Sequence, residues 1–420
     1  MKYYRFPDNK ISKIAIGGLI ALLLIFARDT MLSKSLIGVT ESQFINLGLM
    51  ALFGFAFLFF NRIFLKEVIL DKRVAVIMFS AVLILLPMVI KRDWQMMYFS
   101  ILLCVIFSVF LTYFSSRNEI AKYYVVIMVI LAAYSLIANY GLKYLAEAEL
   151  IKPSIFYNTE GGHQFYNFGL AYVIKLPYEY YRNNGLFREP GVYQYFSLLA
   201  LYLNNYTAVW NKETVKWIGN AVLIIAMLST ISTVAIIALG LFVVALFFDS
   251  KLFQNKKLRY TVVLCAVIVF LCGMLYLPHN AVLYKQITDM ITKLWTANES
   301  SSARYDSIAL NLSLFFKHPI WGDTFSSVLH VVEHNTSSTL ILYGALGVLG
   351  GSLSVISWFA LLWDRRRKVW VNIVYILALF MSFNTQNLTW DLFFWLFPMM
   401  ALTEKVVPWL EGRGTLMRNK

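Results

Sequence analysis

Two stretches of the sequence contain residue types that could act on a charged substrate. In the first, Asn184–Tyr193, Arg188 and Glu189 directly precede Pro190. Proline is favoured in the first turn of a helix, so both charged side chains are expected at a helix N-terminus. Such a terminus attracts anions and an arginine fork matches phosphate oxygens, which together predict a diphosphate site. In the structural alternative, Arg188 contacts lipid headgroups and Glu189 complements the helix dipole.

The second stretch begins at Arg304 and ends at His334-Asn335-Thr336, just before a long apolar segment. Asn335 or Thr336 is expected to cap the helix that follows. The positive end of that helix disfavours a protonated imidazole, so His334 is predicted to be neutral and able to accept a proton. In the structural alternative, His334 is an interfacial histidine that bonds a neighbouring polar group.

One short string in this stretch suggests a metal. His330–His334 matches the H-x-x-E-H string of a class of zinc peptidases. A catalytic zinc site needs a third protein ligand, and this string ends at a predicted membrane boundary. Short strings also match frequently by chance. The sequence has no Asp-x-Asp-type run for metal-dependent chemistry on nucleotide sugars. We therefore expect no metal and no cofactor.

The elements that must position these residues are membrane helices. Of the 420 residues, 59% are hydrophobic and 14% are charged, and the mean hydropathy is +0.64, well above the range of soluble domains. A spanning helix needs roughly 20 mostly apolar residues. The pattern predicts an all-α polytopic membrane protein, a single domain over residues 1–420 with about 12 transmembrane helices. The predicted spans are 14–32, 44–60, 74–90, 96–114, 122–141, 190–203, 217–228, 232–248, 260–277, 338–363, 369–386 and 389–403.

The positive charge follows from membrane topology. The formal net charge is +14, and with the N-terminus inside, the inner segments hold 24 of the 37 Lys and Arg residues. This bias is the one that membrane proteins show on their cytoplasmic side. The run Arg365–Lys368 is the strongest single anchor. We therefore expect a multi-pass protein of the cytoplasmic (inner) membrane and no nucleic-acid partner.

Two outer segments, 142–189 and 278–337, exceed ordinary loop lengths and are expected to contain the functional residues. Within the second, residues 303–316 have the spacing of an amphipathic helix, which is expected to lie on the membrane surface. That helix should end before Pro319, with a turn at Trp321-Gly322.

Two smaller polar features complete the pattern. The hydroxyl-rich turn 228–233 between two predicted spans must line a cavity or be buried in protein, because unpaired backbone cannot face lipid. Arg92 and Asp93 add a charge pair at the outer edge of the third and fourth spans.

In order and spacing, these features resemble the Wzy-type O-antigen and capsular polysaccharide polymerases, which share a fold with the WaaL-type O-antigen ligases. The resemblance covers roughly Asn184 to Gly350. The residues behind it are Gly185–Val192, the turn 228–233, Arg304 with His318–Gly322, and His334-Asn335 followed by Gly344 and Gly347. It implies a GT-C-like membrane fold and a metal-independent glycosyltransferase whose active site faces outside the cytoplasm. One lipid-linked repeat unit would be the acceptor and the growing chain on polyprenyl diphosphate would be the donor.

The resemblance also implies roles for individual residues. Arg188 and Arg304 would hold the donor diphosphate, and His334 would accept the proton of the attacking hydroxyl or position that hydroxyl. Glu189 is a second candidate base. The supporting residues would be Asn335, Tyr193 and Arg92. The implied partners are polyprenyl-diphosphate-linked oligosaccharides, membrane lipids, a chain-length regulator and a flippase.

Two other functions remain open. A ligase would use the same donor with a different acceptor, but ligases often have a Ser-Arg pair where this chain has Ile231-Ser232-Thr233, which favours a polymerase. A transporter or lipid-linked sugar flippase would also have many spans. Transporters usually show repeats and helices broken in matching places, whereas here the polar residues collect at the outer edge.

Overall fold

The computed structural model describes residues 10–27, 29–32, 39–60, 71–158, 163–175, 182–207, 209–249, 288, 299–331 and 335–410. The described part is mostly helical and includes one small sheet. Its first helices are α1 (Lys10–Ile25), α2 (Val39–Phe60), α3 (Lys72–Lys91), α4 (Met96–Leu111), α5 (Arg117–Ile137) and α6 (Lys143–Glu147). Those that follow the sheet are α7 (Pro190–Tyr206), α8 (Glu213–Ser229), α9 (Thr233–Asp249), α10 (Glu299–Lys317), α11 (Phe325–Val331), α12 (Ser338–Leu362), α13 (Val369–Phe383) and α14 (Leu392–Leu410).

The helices have the lengths and composition expected of a helical membrane protein. Within the described residues, three stretches are long and apolar enough to cross a membrane: α3, the continuous run Arg117–Glu147, and α12. Several other helices are apolar but shorter. Every predicted span that falls within the described ranges contains a helix, and the predicted span 260–277 lies outside them.

The helix boundaries follow local sequence signals. Pro190 is the first residue of α7 and Glu189 occupies its N-cap position, as the sequence predicts. α10 ends at Lys317, immediately before His318-Pro319, because the residue before a proline disfavours helix. α12 contains one break, at Gly347, whose φ of 65° and ψ of −166° are not helical.

The core of the bundle forms around α7, which is buried on all sides along most of its length. Aromatic side chains from neighbouring helices meet there: the ring of Tyr195 lies 6.3 Å from those of Trp358 and Phe383, and its hydroxyl donates to the Phe393 carbonyl at 3.1 Å. A helix surrounded by other helices holds the residues at its N-terminus in a fixed place.

The first long outer segment is more structured than the sequence analysis expects. A π-helical segment, Ala138–Leu142, continues α5 into α6, so the helix extends beyond the predicted end at residue 141. Three antiparallel strands follow, β1 (Ser154–Asn158), β2 (His163–Asn167) and β3 (Tyr172–Ile174), in the order β1-β2-β3. Lys143 on α6 is buried and donates to the Ile174 carbonyl at 2.9 Å, which ties the sheet to the helix.

The end of the bundle at which α5 begins and α12 ends is called here the basic end, after two ion pairs of arginine. Arg117 at the start of α5 pairs with Glu404 at 3.5 Å, and Arg367 after α12 pairs with Asp249 at 3.0 Å. In the same inter-helix turn, a hydrogen bond from the Arg366 side chain lowers the pKa of Asp364 to about 2. The opposite end, called the loop end, is where α1 finishes, α7 begins and α12 begins.

Candidate functional site

Arg188 forms a close ion pair that the sequence analysis did not anticipate. Its Nε lies 2.8 Å from Oδ1 of Asp29, a residue just beyond α1 that is only 3% exposed. The Arg188 side chain is about a quarter exposed, and its Nη1 lies 3.6 Å from Glu189. The close contact with a buried carboxylate restrains the guanidinium through charge attraction.

The backbone around this pair is also joined. The Arg188 amide donates to the Asp29 carbonyl at 2.9 Å and the Met31 amide donates to the Leu186 carbonyl at 2.8 Å. Between these bonds, Thr30 and Phe187 form an isolated antiparallel bridge. The segment after α1 therefore pairs with the segment before α7 like a short strand. It contacts Arg188 through both the backbone and the side chain of Asp29.

Glu189 lies at the N-terminal mouth of α7. Its backbone is extended, with φ of −142° and ψ of 148°, and its side chain makes no capping bond. With a side-chain exposure of 48%, it is accessible to a ligand that approaches the helix N-terminus. The amides of Val192 and Tyr193 already donate to the Glu189 carbonyl, so any attraction for an anion here would come from the helix dipole and from Arg188.

The loop before α7 packs against the third strand and the end of α8. The Tyr172 amide donates to the Gly185 carbonyl at 2.9 Å. Gly185 has a φ of 57°, and a Cβ there would meet the Tyr193 ring at 3.0 Å. Tyr193 is buried and its hydroxyl lies 2.8 Å from Ser135 Oγ, so it supports the loop rather than facing a ligand.

The hydroxyl-rich turn after α8 is buried in protein at Ser229 and Thr230, whereas its residues 231–233 are partly exposed. Asn183 donates to Ser229 Oγ at 3.0 Å, and its amide donates to the Ser229 carbonyl at 2.9 Å. Ser229 and Thr230 are both buried. The turn therefore holds the first residues of the loop that ends at Arg188.

The second stretch forms its own network around Asn335. Asn335 Oδ1 accepts from Ser307 Oγ at 3.0 Å and from Asn311 Nδ2 at 2.8 Å. Ser307 and Asn311 lie on one face of α10 and are fully buried. Arg304 belongs to the preceding turn of α10. His334, the neighbour of Asn335, lies outside the described residues.

The cap of α12 differs from the expected one. Asn335 bonds to α10, and the N-cap residue of α12 is Ser337, which makes no side-chain capping bond. Instead, Asn384 Oδ1 accepts from the Thr339 amide at 2.8 Å. The expectation that Asn335 or Thr336 caps the helix is therefore wrong, because a side chain from the turn after α13 occupies that position.

Gln386, in the same turn, connects the two stretches. A Cβ on Gly191 would overlap the Gln386 side chain, so the first turn of α7 lies directly against it. On its other side, Ser338 Oγ donates to the Gln386 carbonyl at 2.5 Å. The N-terminus of α7 and the N-terminus of α12 are thus neighbours at the loop end, and both predicted stretches lie there.

Arg92 and Asp93, both described, do not form the expected charge pair. Arg92 is exposed and terminates α3 in the left-handed conformation, with a φ of 53°. Asp93 instead accepts from the Tyr98 hydroxyl at 3.1 Å and from the Phe325 amide at 3.0 Å. Asp93 therefore caps α11, since a carboxylate at a helix N-terminus bonds the free amides.

The described part of the string His330–His334 does not form a metal centre. His330 is exposed near the end of α11, while Glu333 and His334 fall in the gap 332–334. Within the described ranges, no cluster of three or more His, Cys, Asp or Glu side chains has a spacing suited to a metal ion.

Comparison with protein-family models, with curated proteins and with solved structures found no match. The site must therefore be interpreted from its own residues. An arginine at a helix N-terminus is a group that can bind a diphosphate, and Glu189 and His334 remain the predicted proton acceptors. Asp29 was missed by the sequence analysis, although a carboxylate at the end of an apolar helix is itself a signal of function.

Proposed function

We propose that this protein is a polysaccharide polymerase that joins polyprenyl-diphosphate-linked oligosaccharide repeat units at the outer face of the cytoplasmic membrane. The proposal includes a GT-C-like arrangement of about 12 spans, as read from the sequence pattern, in which the loop end faces outside. The segments 142–189 and 278–337 would then both lie on the outer side.

The main support is the position of Gln386 between Gly191 and Ser338. It brings Arg188 and Glu189 to the same end of the bundle as Asn335, the residue that follows His334 in the sequence. A transferase of this kind needs a diphosphate site and a proton acceptor near one another, because the donor carbon and the acceptor hydroxyl must meet.

In the proposed reaction, the acceptor hydroxyl attacks the anomeric carbon of the donor sugar and polyprenyl diphosphate leaves. Arg188 and Arg304 would balance the charge that develops on the leaving diphosphate, which makes a metal unnecessary. His334 would accept the proton of the hydroxyl, and Glu189 is the second candidate for that role. Asp29 would hold Arg188 in position.

The orientation of the protein can be tested separately from the reaction. Lys152 and Arg366 are both exposed, the first near the sheet and the second at the basic end. In a background without the native cysteines, Lys152→Cys should react with an impermeant thiol reagent added to intact cells, and Arg366→Cys should react only after the cells are opened. The reverse result would place the loop end inside and overturn the proposal.

The reaction is tested by reconstituting the purified protein in lipid vesicles with candidate lipid-linked repeat units. A ladder of products separated by one repeat unit supports a polymerase. Transfer of a finished chain to another acceptor without a ladder would assign a ligase. Movement of lipid-linked sugar across the bilayer with no new glycosidic bond would assign a flippase.

A further inference from the structure

α10 buries two polar side chains and exposes several apolar ones. Its polar residues Ser307 and Asn311 are fully buried, whereas Tyr305 and Phe316 are 72% and 71% exposed. Ile308, also on the outward side, is 44% exposed. A helix in water would bury its apolar face and expose its polar one. The outward face of α10 is therefore suited to an apolar surrounding.

α10 runs alongside the first half of α12 in the same direction. Near its start, Ser307 Oγ accepts from the Thr336 amide at 3.3 Å. Further along, the rings of Phe315 and Tyr343 lie 5.6 Å apart. Beyond its end, the Pro319 carbonyl accepts from the Val348 amide at 2.7 Å. From the first contact to the last, both segments advance by the same number of residues, so their paths are nearly parallel.

The chain then turns and comes back. α11 follows the turn, and the carbonyl of its residue Val328 accepts from Asn335 Nδ2 at 3.4 Å. Val328 also lies against Gly344. α10, the turn at residues 318–324 and α11 thus form a hairpin that descends beside α12 and returns to the level of Asn335.

The backbone groups of the hairpin turn and those at the break in α12 form hydrogen bonds with one another. The break leaves the Gly344 carbonyl and the Val348 amide without their usual helical partners; they bind the Asp323 amide and the Pro319 carbonyl, both at 2.7 Å. A Cβ on Gly322 or on Gly347 would overlap the opposing backbone. Non-helical backbone at membrane depth is tolerated only when it is buried in protein and bonded in this way.

The turn lies too far along α12 to be outside the bilayer. Counted as continuous helix through the break at Gly347, the 25 residues of α12 would span about 37 Å at 1.5 Å per residue, against a hydrocarbon thickness of roughly 30 Å. Gly347 lies about 13 Å along the helix from Ser338. At most about 7 Å of α12 can project from the hydrocarbon if the helix crosses it, so the turn lies below the boundary.

We propose that Glu299–Val331 is a re-entrant hairpin whose outward apolar face contacts the hydrocarbon of the bilayer. That face comprises Tyr305, Ile308, Phe316 and, at the turn, Ile320, which is 54% exposed. α12, which is long enough to cross a membrane, also has exposed apolar residues: Val348, whose amide bonds to the hairpin turn, and Ile356 further along the helix. In this proposal, α10 enters the bilayer at a steep angle, whereas the sequence analysis expects it to lie flat on the membrane surface.

A second exposed stripe on α10 is polar. Asp306, Ser313 and Lys317 are exposed and lie about 100° around the helix from Tyr305 and Phe316. This stripe would face water or headgroups at the edge of the hairpin. The side chain of Lys317 tilts toward the N-terminus of α10, as side chains on helices do, and this directs its ammonium toward the membrane surface.

The test uses spin labels on the full chain in lipid vesicles, in a background without the native cysteines. Single cysteines replace Tyr305, Phe316 and Ile320, with Ile356→Cys as the lipid-facing control and Arg366→Cys as the water-facing control. Collision rates are measured with oxygen, which partitions into hydrocarbon, and with a polar nickel chelate, which stays in water.

The expected result is high oxygen access and low nickel access at the three test positions, with the calculated depth increasing from position 305 to positions 316 and 320. Equal depth at all three would indicate a helix lying on the surface. High nickel access would indicate a water-facing helix, and protection from both reagents would indicate a face covered by protein. Each of these three results would overturn the proposal. None of them depends on the proposed reaction.

Discussion

The Nε atom of Arg188 lies 2.8 Å from Oδ1 of Asp29, although the two residues belong to different helix ends and are far apart in sequence. Asp29 is nearly completely buried, whereas the Arg188 side chain is partly accessible. A buried anion that holds one edge of an arginine leaves little freedom for the guanidinium as a whole. Under the proposed function, an Arg188 that is held in this way would lower the entropy cost of binding the donor diphosphate.

We predict that Asp29→Asn reduces polymer formation by about 10²-fold, because a small displacement of a binding group can have an effect of this size. The amide keeps the volume of the carboxylate and loses its charge. Turnover and KM for the lipid-linked donor are measured in vesicles, and thermal unfolding is measured in detergent. The control is Glu213→Gln, which removes an exposed carboxylate paired with Lys216 at the other end of the bundle. Normal turnover in a folded Asp29→Asn protein would show that Asp29 does not position Arg188.

Arg188→Lys and Arg304→Lys are each predicted to lose most activity, although the positive charge is kept. Lysine is a point charge and cannot offer the two parallel donors of a guanidinium to a diphosphate. The loss is measured from the product ladder. The control is Arg366→Lys, which should be neutral because the Arg366 side chain is 90% exposed at the basic end. Near-normal turnover in both lysine variants would assign these arginines to membrane anchoring.

Gly347→Ala is predicted to destabilise the protein. The φ of 65° and ψ of −166° at this position belong to a region that is almost restricted to glycine, where strain for other residues is about 1–3 kcal/mol. The added Cβ would also overlap the Ile320 carbonyl. Thermal unfolding in detergent should show a clear fall in the midpoint.

The matched control is Gly240→Ala. Gly240 lies in the interior of α9, and a Cβ there would have no neighbour within 4 Å. Alanine is favoured over glycine in a helix by about 1 kcal/mol, so this variant should be neutral or more stable. Equal midpoints for the two variants would mean that the hairpin turn and the break in α12 are not interlocked.

The sequence predicts the elements formed by local signals. The apolar periods identify the helices, Pro190 places the start of α7, and His318-Pro319 places the end of α10. These features depend on a few neighbouring residues, so one sequence is sufficient to infer them.

The features that the sequence does not predict depend on contacts between distant segments. The three-stranded sheet is built from short strands whose partners lie across turns, and its aromatic residues also fit a loop at a membrane interface. The Asp29–Arg188 pair and the Gly322–Gly347 contact each join segments more than twenty residues apart. For the same reason, the sequence does not predict that α12 is capped by Asn384 instead of by a residue that directly precedes the helix. Nothing in the local pattern of either segment indicates which partner it meets.

His334→Gln is the most direct test of the proposed base, and we predict that it reduces polymer formation by about 10²- to 10⁴-fold, the usual contribution of a positioned general base. Glutamine keeps approximately the size and hydrogen bonding of histidine but cannot take the proton. His334 directly precedes Asn335, which is fixed by Ser307 and Asn311, and the N-terminus of α12 just beyond favours a neutral imidazole. His330→Gln, an exposed histidine four residues earlier, is the matched control and should remain active. His334→Ala should insert and fold like the unmodified protein, which is checked by its unfolding midpoint. If His334→Gln still forms long polymer at close to the normal rate, His334 only positions the acceptor, and Glu189 at the mouth of α7 becomes the leading base.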